Sequence, residues 1–164
     1  MEEIRFFIRE EPYGWLSNFE RTQFIVDGKI YPTNEHFYQS HKPIDPVHSK
    51  YIREAPNATV AMVLGRAYEH DKYLKKYTIK NWDDIKRFVM LTGLRQKFKN
   101  PKLRKLLVST RDAILHEDNP DDFYWSIADG TGKSWLGKLL MQVRDELQSS
   151  SGSTDQSSSS KETT

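Results

Sequence analysis

The clearest hydrophobic pattern in the chain is helical and lies near its C-terminal end. Apolar residues recur there three and four positions apart, which places them on one stripe of a helix: Leu136, Leu139, Leu140, Val143 and Leu147. A similar period predicts a long helix over Trp82–Lys99, with Asn81 as its cap. Asn100 then caps a further helix, in which Pro101 takes the first position.

Shorter helices are predicted in the middle of the chain. Val47–Glu54 can form one helical segment. Asn57 caps a second one over Ala58–Leu64, which Gly65 weakens or ends. Residues 68–80 are polar and basic, and we expect a loop with one helical turn there.

A few segments have the composition of strands. Ile4–Ile8 is rich in β-forming residues. Phe24–Val26 and Lys29–Tyr31 flank Asp27-Gly28, and this dipeptide is a strong hairpin signal because both turn residues need a positive φ. Two further strands or extended segments are predicted over Ala113–His116 and Phe123–Ser126.

The predicted hairpin leads directly into the stretch with the most chemistry, residues 31–42. We interpret it as a turn followed by a short helix, capped by Thr33 or Asn34 and stopped by Pro43. An acid, a hydroxyl, an amide and an amine are spaced so that they share one helix face: Glu35, Tyr38, Gln39 and Lys42. Such a set could bind a sugar.

Two interpretations of this face stay open at the level of the pattern. Glu35 in a first turn and Lys42 in a last turn are also what the helix dipole favours on a solvated surface. Tyr38 could equally be a core aromatic residue. Earlier in the chain, Ser17 and Asn18 could close a turn on their own backbone or line a pocket.

Composition adds limits on class and compartment. The 164 residues suggest one folded domain, and the absence of Cys excludes disulfides, thiolate zinc sites and cysteine nucleophiles. No stretch has the length and apolarity of a signal peptide or membrane span, so we expect an intracellular protein, cytoplasmic or nuclear, with no membrane partner. Eight of the last sixteen residues are Ser, which predicts a disordered tail over 148–164 after a folded domain over 1–147.

Charge is unevenly distributed although the net charge is only +2. Twelve Lys or Arg and two acids lie between Lys72 and Lys105. This segment could bind the phosphates of a nucleotide or nucleic acid, or it could be a solvated helix face. Gly132 lies in a small-residue loop before the last helix, where free backbone N–H groups can hold an anion, although the spacing of a Walker motif is absent.

Several separated motifs together resemble the NADAR family, also called YbiA-like. The motifs are Leu16-Ser17-Asn18-Phe19, the 31–42 stretch, Trp82 with Met90, Lys97-Phe98, Asp122-x-x-Trp125 and the segment from Gly132 to Arg144. The resemblance covers residues 5–147. It implies a compact, mostly helical α+β domain with a short hairpin and a small sheet, and an N-glycosidase activity that cleaves the bond between ribose C1′ and a nitrogen.

The resemblance also implies site residues and substrates. Glu35 matches the family's acid, and Lys42 matches its catalytic lysine. Substrate contacts are expected from nine further residues: Ser17, Asn18, Phe19, Tyr38, Gln39, Trp82, Asp122, Trp125 and Gly132. Substrate types known for the family are ADP-ribosylated guanine, in nucleosides or DNA, and phosphoribosylamino-pyrimidine intermediates of riboflavin synthesis.

This chain departs from the family pattern at two positions. Ser126 stands where Gly is usual, and Ser134 stands where Asn is usual. Both departures bear on substrate preference more than on chemistry, because the pair Glu35 and Lys42 is intact.

We expect the enzyme to remove ADP-ribose from guanine, carried on a nucleoside, DNA or RNA. In this hypothesis Lys42 attacks C1′ as a neutral amine and forms a Schiff base, while Glu35 moves protons and activates water. In a second version Lys42 is a charge clamp and water attacks directly.

Trp82 or Trp125 could stack on a base or pack in the core. We expect a monomer. We also expect no metal or other cofactor, since only His36 and His41 lie close together and they do not share a helix face.

Two other functions remain as alternatives. One is an N-glycosidase acting on the riboflavin intermediates. The other is a non-catalytic module that binds NAD or ADP-ribose, against which the intact Glu35 and Lys42 argue, because a binder needs neither.

Overall fold

The computed structural model describes residues 2–152, and these contain six helices and four strands. The strands are β1 (Glu3–Phe6), β2 (Phe24–Val26), β3 (Lys29–Tyr31) and β4 (Ile114–Glu117). The helices are α1 (Asn34–Ser40), α2 (Pro46–Arg53), α3 (Ala58–His70), α4 (Trp82–Lys97), α5 (Pro101–Ser109) and α6 (Trp135–Gly152). The predicted mostly helical α+β architecture with a short hairpin is therefore confirmed. No helix within residues 2–152 is long and apolar enough to cross a membrane.

The strands form two small sheets. β2 and β3 are the predicted antiparallel hairpin, and its turn residues Asp27 and Gly28 have φ values of 49° and 73°. β1 and β4 pair in parallel with Ile4 opposite Leu115, although more than a hundred residues separate them in sequence. Helix α6 packs on β4 and on α4, so the leucine stripe predicted from the sequence closes the main core.

Helix α1 lies at the centre of the fold, and each of its seven residues is buried. Thr33 is its cap, and its side chain accepts a hydrogen bond from the backbone N–H of His36. Helices α2, α3 and α4 pack around it. The helix ends at Ser40, before the predicted stop at Pro43, and one tight turn from Lys42 N–H to the Gln39 carbonyl follows it (3.2 Å).

Helix α3 does not end at Gly65, where the sequence predicts that the helix weakens or ends. The helix continues through Gly65 to His70, and part of the predicted 68–80 loop is its last turn. The glycine is needed for a close contact, because a Cβ built there would lie 2.1 Å from Gln39 Oε1 and 2.6 Å from Gln39 Cβ. Gly65 thus allows α1 and α3 to approach each other.

A Gly65→Ala substitution tests this contact. Alanine is the better helix former, yet we expect a loss of about 1–3 kcal/mol in the free energy of unfolding because the two helices must separate. Val63→Ala on the solvent side of the same helix is the control, and it should keep or raise stability. Urea unfolding followed by circular dichroism measures both. A Gly65→Ala protein as stable as the Val63→Ala protein would contradict the packing role.

Two other predicted boundaries differ from the structure. Phe123–Ser126 is a turn and not a strand, because the Asp122 carboxylate accepts hydrogen bonds from the N–H groups of Tyr124 (2.9 Å) and Trp125 (2.8 Å). Helix α6 continues to Gly152, so residues 148–152 of the predicted tail are helical. The rest of that predicted disordered segment, 153–164, lies outside the described residues.

Candidate active site

A cleft of about 1050 Å³ opens between α1, α3, the segment that follows β1 and the loop that follows β4. Nine of the eleven predicted site residues line it: Ser17, Asn18, Phe19, Glu35, Tyr38, Gln39, Lys42, Asp122 and Trp125. The two predicted residues outside its lining are Trp82 and Gly132. The structure thus brings together in one cavity most of the residues that the sequence motifs distribute over a hundred positions.

Glu35 lies at the base of the cleft and is 7% exposed. The Gln39 side-chain amide donates a hydrogen bond to its carboxyl group (2.7 Å), as expected for an i, i+4 pair. Burial raises the pKa of Glu35, and the hydrogen bond from Gln39 and the charge of Lys42 oppose this effect. A raised pKa allows the carboxyl group to keep its proton at higher pH than an ordinary glutamate, as a proton donor to a leaving group requires.

Lys42 is 1% exposed although its amine lines the cleft. The amine forms an ion pair with Glu69, and it lies 5.1 Å from the ring centre of Tyr38 and 5.7 Å from that of Trp82. Burial lowers the pKa of Lys42, while the charge and hydrogen bond of Glu69 oppose the shift. Glu35 also acts electrostatically on Lys42, so the acid and the amine interact within the same cavity.

Ser17 and Asn18 are held in the cleft wall from below by buried polar groups. The Lys97 amine donates hydrogen bonds to the carbonyl oxygens of Leu16 (3.2 Å) and Ser17 (2.7 Å), and burial lowers its pKa to about 7. The Asn34 side-chain amide donates to Asn18 Oδ1 (2.8 Å). Both interpretations left open by the sequence hold for Ser17, because its Oγ accepts a hydrogen bond from the Phe19 backbone N–H (3.2 Å) and the residue also lines the cleft.

Trp82 and Trp125 occupy different places. Trp82 is buried behind the lining, where its indole N–H donates a hydrogen bond to Glu69 Oε1 (3.1 Å). Trp125 lines the cleft, and its ring packs edge-on against Tyr38 with ring centres 5.4 Å apart. Stacking on a substrate base is therefore geometrically open to Trp125 but not to Trp82.

Gly132 lies in the loop before α6 and outside the cleft lining. A Cβ there would come within 2.3 Å of the Ser126 carbonyl oxygen, so glycine permits the close packing of this loop. Ser126 and Ser134 are also bonded within the fold. Ser126 Oγ donates to the Glu117 carbonyl (2.6 Å), and Ser134 Oγ is 2.8 Å from the His116 ring nitrogen Nδ1. The two serines that differ from the family pattern, Ser126 and Ser134, thus connect this loop to β4 through their side chains.

The charged cleft residues that the sequence did not predict include three that interact electrostatically with Glu35 or Lys42: Arg66, Glu69 and Glu117. The first two lie after Gly65, where the sequence predicts that the helix weakens or ends, and Glu117 directly follows the strand predicted over Ala113–His116. One signal was available for Glu69. An acid in the last turn of a helix opposes the helix dipole, and such a residue needs a reason to be there.

The cleft contains a group of three carboxyl groups from Glu35, Glu117 and Asp122. Burial and the charges of Asp122 and Glu35 raise the pKa of Glu117 to about 8, and the positive charge of Arg66 opposes the shift. Grouped carboxyl groups favour a ligand that carries or develops positive charge near them, because they then recover part of their lost solvation.

Glu117→Gln is expected to stabilise the protein, and more so at higher pH. In the unfolded chain the Glu117 carboxyl ionises near its ordinary pKa, whereas the folded protein keeps its proton to about pH 8. The contribution of Glu117 to stability is therefore fully present below the unfolded pKa, and it is lost as pH rises from that pKa to about 8. We expect the substitution to add about 1–3 kcal/mol near pH 8 and little at low pH, measured as Tm from about pH 4.5 to 8. A difference in Tm that does not change with pH would contradict the assignment.

The cleft thus combines a buried amine, the group of three carboxyl groups described above and an open rim. Basic side chains along the lining could bind phosphate groups: Arg9, Arg21, Arg66 and Lys86. Phe7 and Phe123 lie at the exposed part of the lining and offer aromatic surface. Within the described residues, no cluster of three His, Asp or Glu side chains has the geometry to hold a metal ion. The arrangement is suited to a ribose at its base with phosphates and an aromatic ring further out.

Comparison with known proteins gives a consistent set of relatives. Residues 6–148 match the family described as NADAR domain. The N-glycosidase YbiA of Escherichia coli is 39% identical over 146 residues, which cover 88% of this chain and 88% of that protein. An N-glycosidase of Nostoc punctiforme is 32% identical, and the match covers 88% of this chain and 92% of that protein.

Two further similarities concern pathway and fold. A riboflavin biosynthesis protein of Vibrio vulnificus is 35% identical over 147 residues, which are 88% of this chain but 38% of that protein. The NMR structure of Escherichia coli YbiA superimposes with a TM-score of 0.81 at 37% identity and covers 92% of this chain and 87% of that chain.

Proposed function

The chain belongs to the NADAR domain family, and we propose that it is an N-glycosidase that removes ADP-ribose from guanine by cleaving a ribose C1′–N bond. One observation carries the proposal. Glu35 and Lys42, a carboxyl group and an amine that are both almost fully buried, open into the same cleft and act electrostatically on each other. Relatives named N-glycosidases support the reaction type.

The burial of these two groups suits the chemistry of an N-ribosyl bond. Its cleavage places positive charge on C1′ and negative charge on the departing nitrogen. Glu35 with its raised pKa can protonate the nitrogen, and Lys42 with its lowered pKa can supply a neutral amine. A surface lysine would be almost entirely charged at neutral pH and a poor nucleophile.

In the proposed mechanism the lone pair of the Lys42 amine forms a bond to C1′. The C1′–N bond breaks, and its electron pair goes to the base nitrogen, which takes the Glu35 proton. The bond from C1′ to the ring oxygen then breaks, and this oxygen receives the proton that the attached amine loses, which leaves an iminium ion. Water adds to C1′ as Glu35 accepts its proton. Collapse of this adduct returns the free amine and releases the sugar as an aldehyde that can close again.

Water attack without a covalent intermediate is the competing version. In that version Glu35 activates water as a base, and Lys42 remains a charged clamp through its ion pair with Glu69. The near-complete burial of Lys42 favours the covalent version, because burial disfavours the charged amine that a clamp needs.

The size and charge of the cleft support ADP-ribosylated guanine as substrate. A cavity of about 1050 Å³ exceeds the space that one ribose and its base need. Arg66 makes no ion pair with a described residue and is available to a diphosphate. Trp125 and the exposed Phe123 could contact the adenine or guanine ring. Whether the guanine is carried on a nucleoside, DNA or RNA, and whether the enzyme is an intracellular monomer, stay predictions.

A phosphoribosylamino-pyrimidine is the second candidate substrate, because the Vibrio vulnificus relative is named a riboflavin biosynthesis protein. Its single phosphate would leave much of the cleft empty. A pure binding module is disfavoured, since a binder gains nothing from burying an amine and a carboxyl group at a cost in stability.

A substrate comparison tests the proposal. We expect the protein to release guanosine from ADP-ribosylated guanosine and unmodified DNA from ADP-ribosylated DNA, with a kcat/KM at least about tenfold above that for the phosphoribosylamino-pyrimidine, because the diphosphate and adenosine add contacts. Liquid chromatography with mass spectrometry measures both products. The reverse preference would assign the chain to the pyrimidine substrate, and release of neither product would contradict N-glycosidase activity on these compounds.

A further inference from the structure

We propose that Glu69, positioned by Trp82, is the proton carrier of the Lys42 amine: it takes one proton before the amine attacks and returns it when the amine is released. The inference rests on the covalent version of the proposed function and assigns a residue to a step that Glu35 does not perform. It also gives the buried Trp82 a role other than stacking on a base.

Among the protein groups around the Lys42 amine, one can accept its proton. Among the described residues its hydrogen-bond partner is Glu69 Oε2, and its other near neighbours are the ring faces of Tyr38 and Trp82. Ring faces stabilise a cation but cannot accept a proton from it. Among these protein groups, direct proton transfer from the amine is open only to Glu69.

Glu69 is also placed as a proton carrier should be. Its carboxylate is oriented from behind, because the Trp82 indole N–H donates to Oε1 (3.1 Å) while Oε2 accepts from Lys42. The side chain is 26% exposed and lines the cleft, whereas Lys42 is 1% exposed. The acid is therefore more accessible to water than the amine.

The position of Glu69 is not explained by stability. It is the second-last residue of α3, where the helix dipole disfavours a negative charge. Its ion pair requires a buried ammonium group, and buried ion pairs are weak contributors to stability. An acid that is unfavourable at its place in the helix, yet completes a buried ion pair inside a cleft, is typical of a functional site.

The proton balance assigns separate tasks to the two acids. The Lys42 ammonium gives one proton to the Glu69 carboxylate, which leaves an amine with a free lone pair and a neutral carboxyl group. Glu35 meanwhile supplies the proton of the leaving nitrogen and later accepts one from water. When the sugar leaves, the free amine recovers its proton from Glu69, and both acids return to their starting states.

A simple ion pair makes the opposite prediction, and this separates the two roles. Burial and the charge of Arg66 lower the pKa of Lys42, whereas the charges of Glu69 and Glu35 raise it. Glu69→Gln therefore lowers the pKa of Lys42 and increases the neutral amine. If Glu69 only stabilised the ammonium ion, the variant would react at least as fast as wild type and retain its rate to lower pH. If Glu69 carries the proton, the variant reacts more slowly despite having more neutral amine.

The experiment measures the rate of borohydride-trapped adduct formation between about pH 5.5 and 9 at saturating ADP-ribosylated guanosine, by intact-protein mass spectrometry. The pKa of Lys42 is measured in parallel by NMR of ¹³Cε-labelled lysine. We expect Glu69→Gln to slow trapping about a hundredfold across this range while the Lys42 pKa falls. Glu69→Asp should recover part of the rate. Trp82→Phe should slow trapping about tenfold, because the carboxylate loses its orienting donor.

Controls separate this role from folding and from the mechanism as a whole. Glu54→Gln removes an exposed carboxylate that pairs with Arg53 and should match wild type, and melting curves confirm that every variant is folded. Trapping by Glu69→Gln at the wild-type rate or faster would overturn the role of Glu69 and leave the covalent mechanism intact. Turnover by wild type without any adduct would remove the covalent mechanism, and the role of Glu69 with it.

Discussion

Lys42→Met is expected to abolish glycosidase activity, with a fall in kcat of about 10⁴-fold or more. The covalent version assigns the bond-forming lone pair to this amine, and loss of a nucleophile leaves only the contributions of binding and charge. Methionine has a similar length and is compatible with the Tyr38 and Trp82 rings around the amine. Guanosine release from ADP-ribosylated guanosine, measured under single-turnover conditions, gives the comparison.

The fold should tolerate this substitution. The partner that loses its ion pair, Glu69, is 26% exposed and keeps the hydrogen bond from Trp82, so water can solvate the carboxylate. Lys50→Met is the control, because Lys50 is an exposed lysine on α2 with only a surface ion pair of 4.0 Å. Lys42→Met activity within tenfold of the Lys50→Met protein would contradict a nucleophilic role for Lys42.

Glu35→Gln is expected to lower kcat by about 10²- to 10⁴-fold, the range typical for loss of a general acid and base. Glutamine keeps the size of the side chain and still accepts the hydrogen bond from Gln39. It cannot protonate the leaving nitrogen or take a proton from water, so both the formation and the hydrolysis of the covalent intermediate should slow. KM should change less than kcat, because the substitution removes a proton-transfer group and preserves the shape of the pocket.

Stability provides a second readout of the same variant. Burial raises the pKa of Glu35, so its contribution to stability is present at low pH and is lost as pH rises through the folded pKa. Glu35→Gln should therefore be as stable as wild type near pH 4 and more stable at neutral pH. A variant that unfolds at lower temperature than wild type at pH 7.5 would show that Glu35 has a structural role that this account omits. Retention of full activity would contradict its role in proton transfer.

The features that local sequence signals predicted are those set by neighbouring residues. Asp27-Gly28 specified the hairpin turn through its two positive φ values, and Asn57 and Asn100 specified helix caps through their own side-chain hydrogen bonds. The helical spacing of Glu35 and Gln39 placed them together, and they are hydrogen-bonded. Lys42 lies beyond the end of that helix, yet the tight turn after Ser40 still directs its amine to the cleft.

The features that the sequence did not predict depend on contacts between distant segments. Gly65 has the local character of a helix end, and only the packing of Gln39 against it shows why the helix continues. Glu69 comes to Lys42 because α3 continues past that glycine. Glu117 comes to the cleft because β4 pairs in parallel with β1, a pairing of segments more than a hundred residues apart. No periodicity within one segment reports such contacts.

The central claim is that Lys42 forms a covalent bond with ribose C1′ during turnover, and trapping of that intermediate tests it most directly. Wild-type protein is incubated with ADP-ribosylated guanosine and borohydride, digested, and analysed by peptide mass spectrometry. We predict a substrate-dependent mass increase equal to reduced ADP-ribose on the peptide that contains Lys42, and none in the Lys42→Met protein. Guanosine release at the normal rate with no adduct on Lys42 would contradict this mechanism.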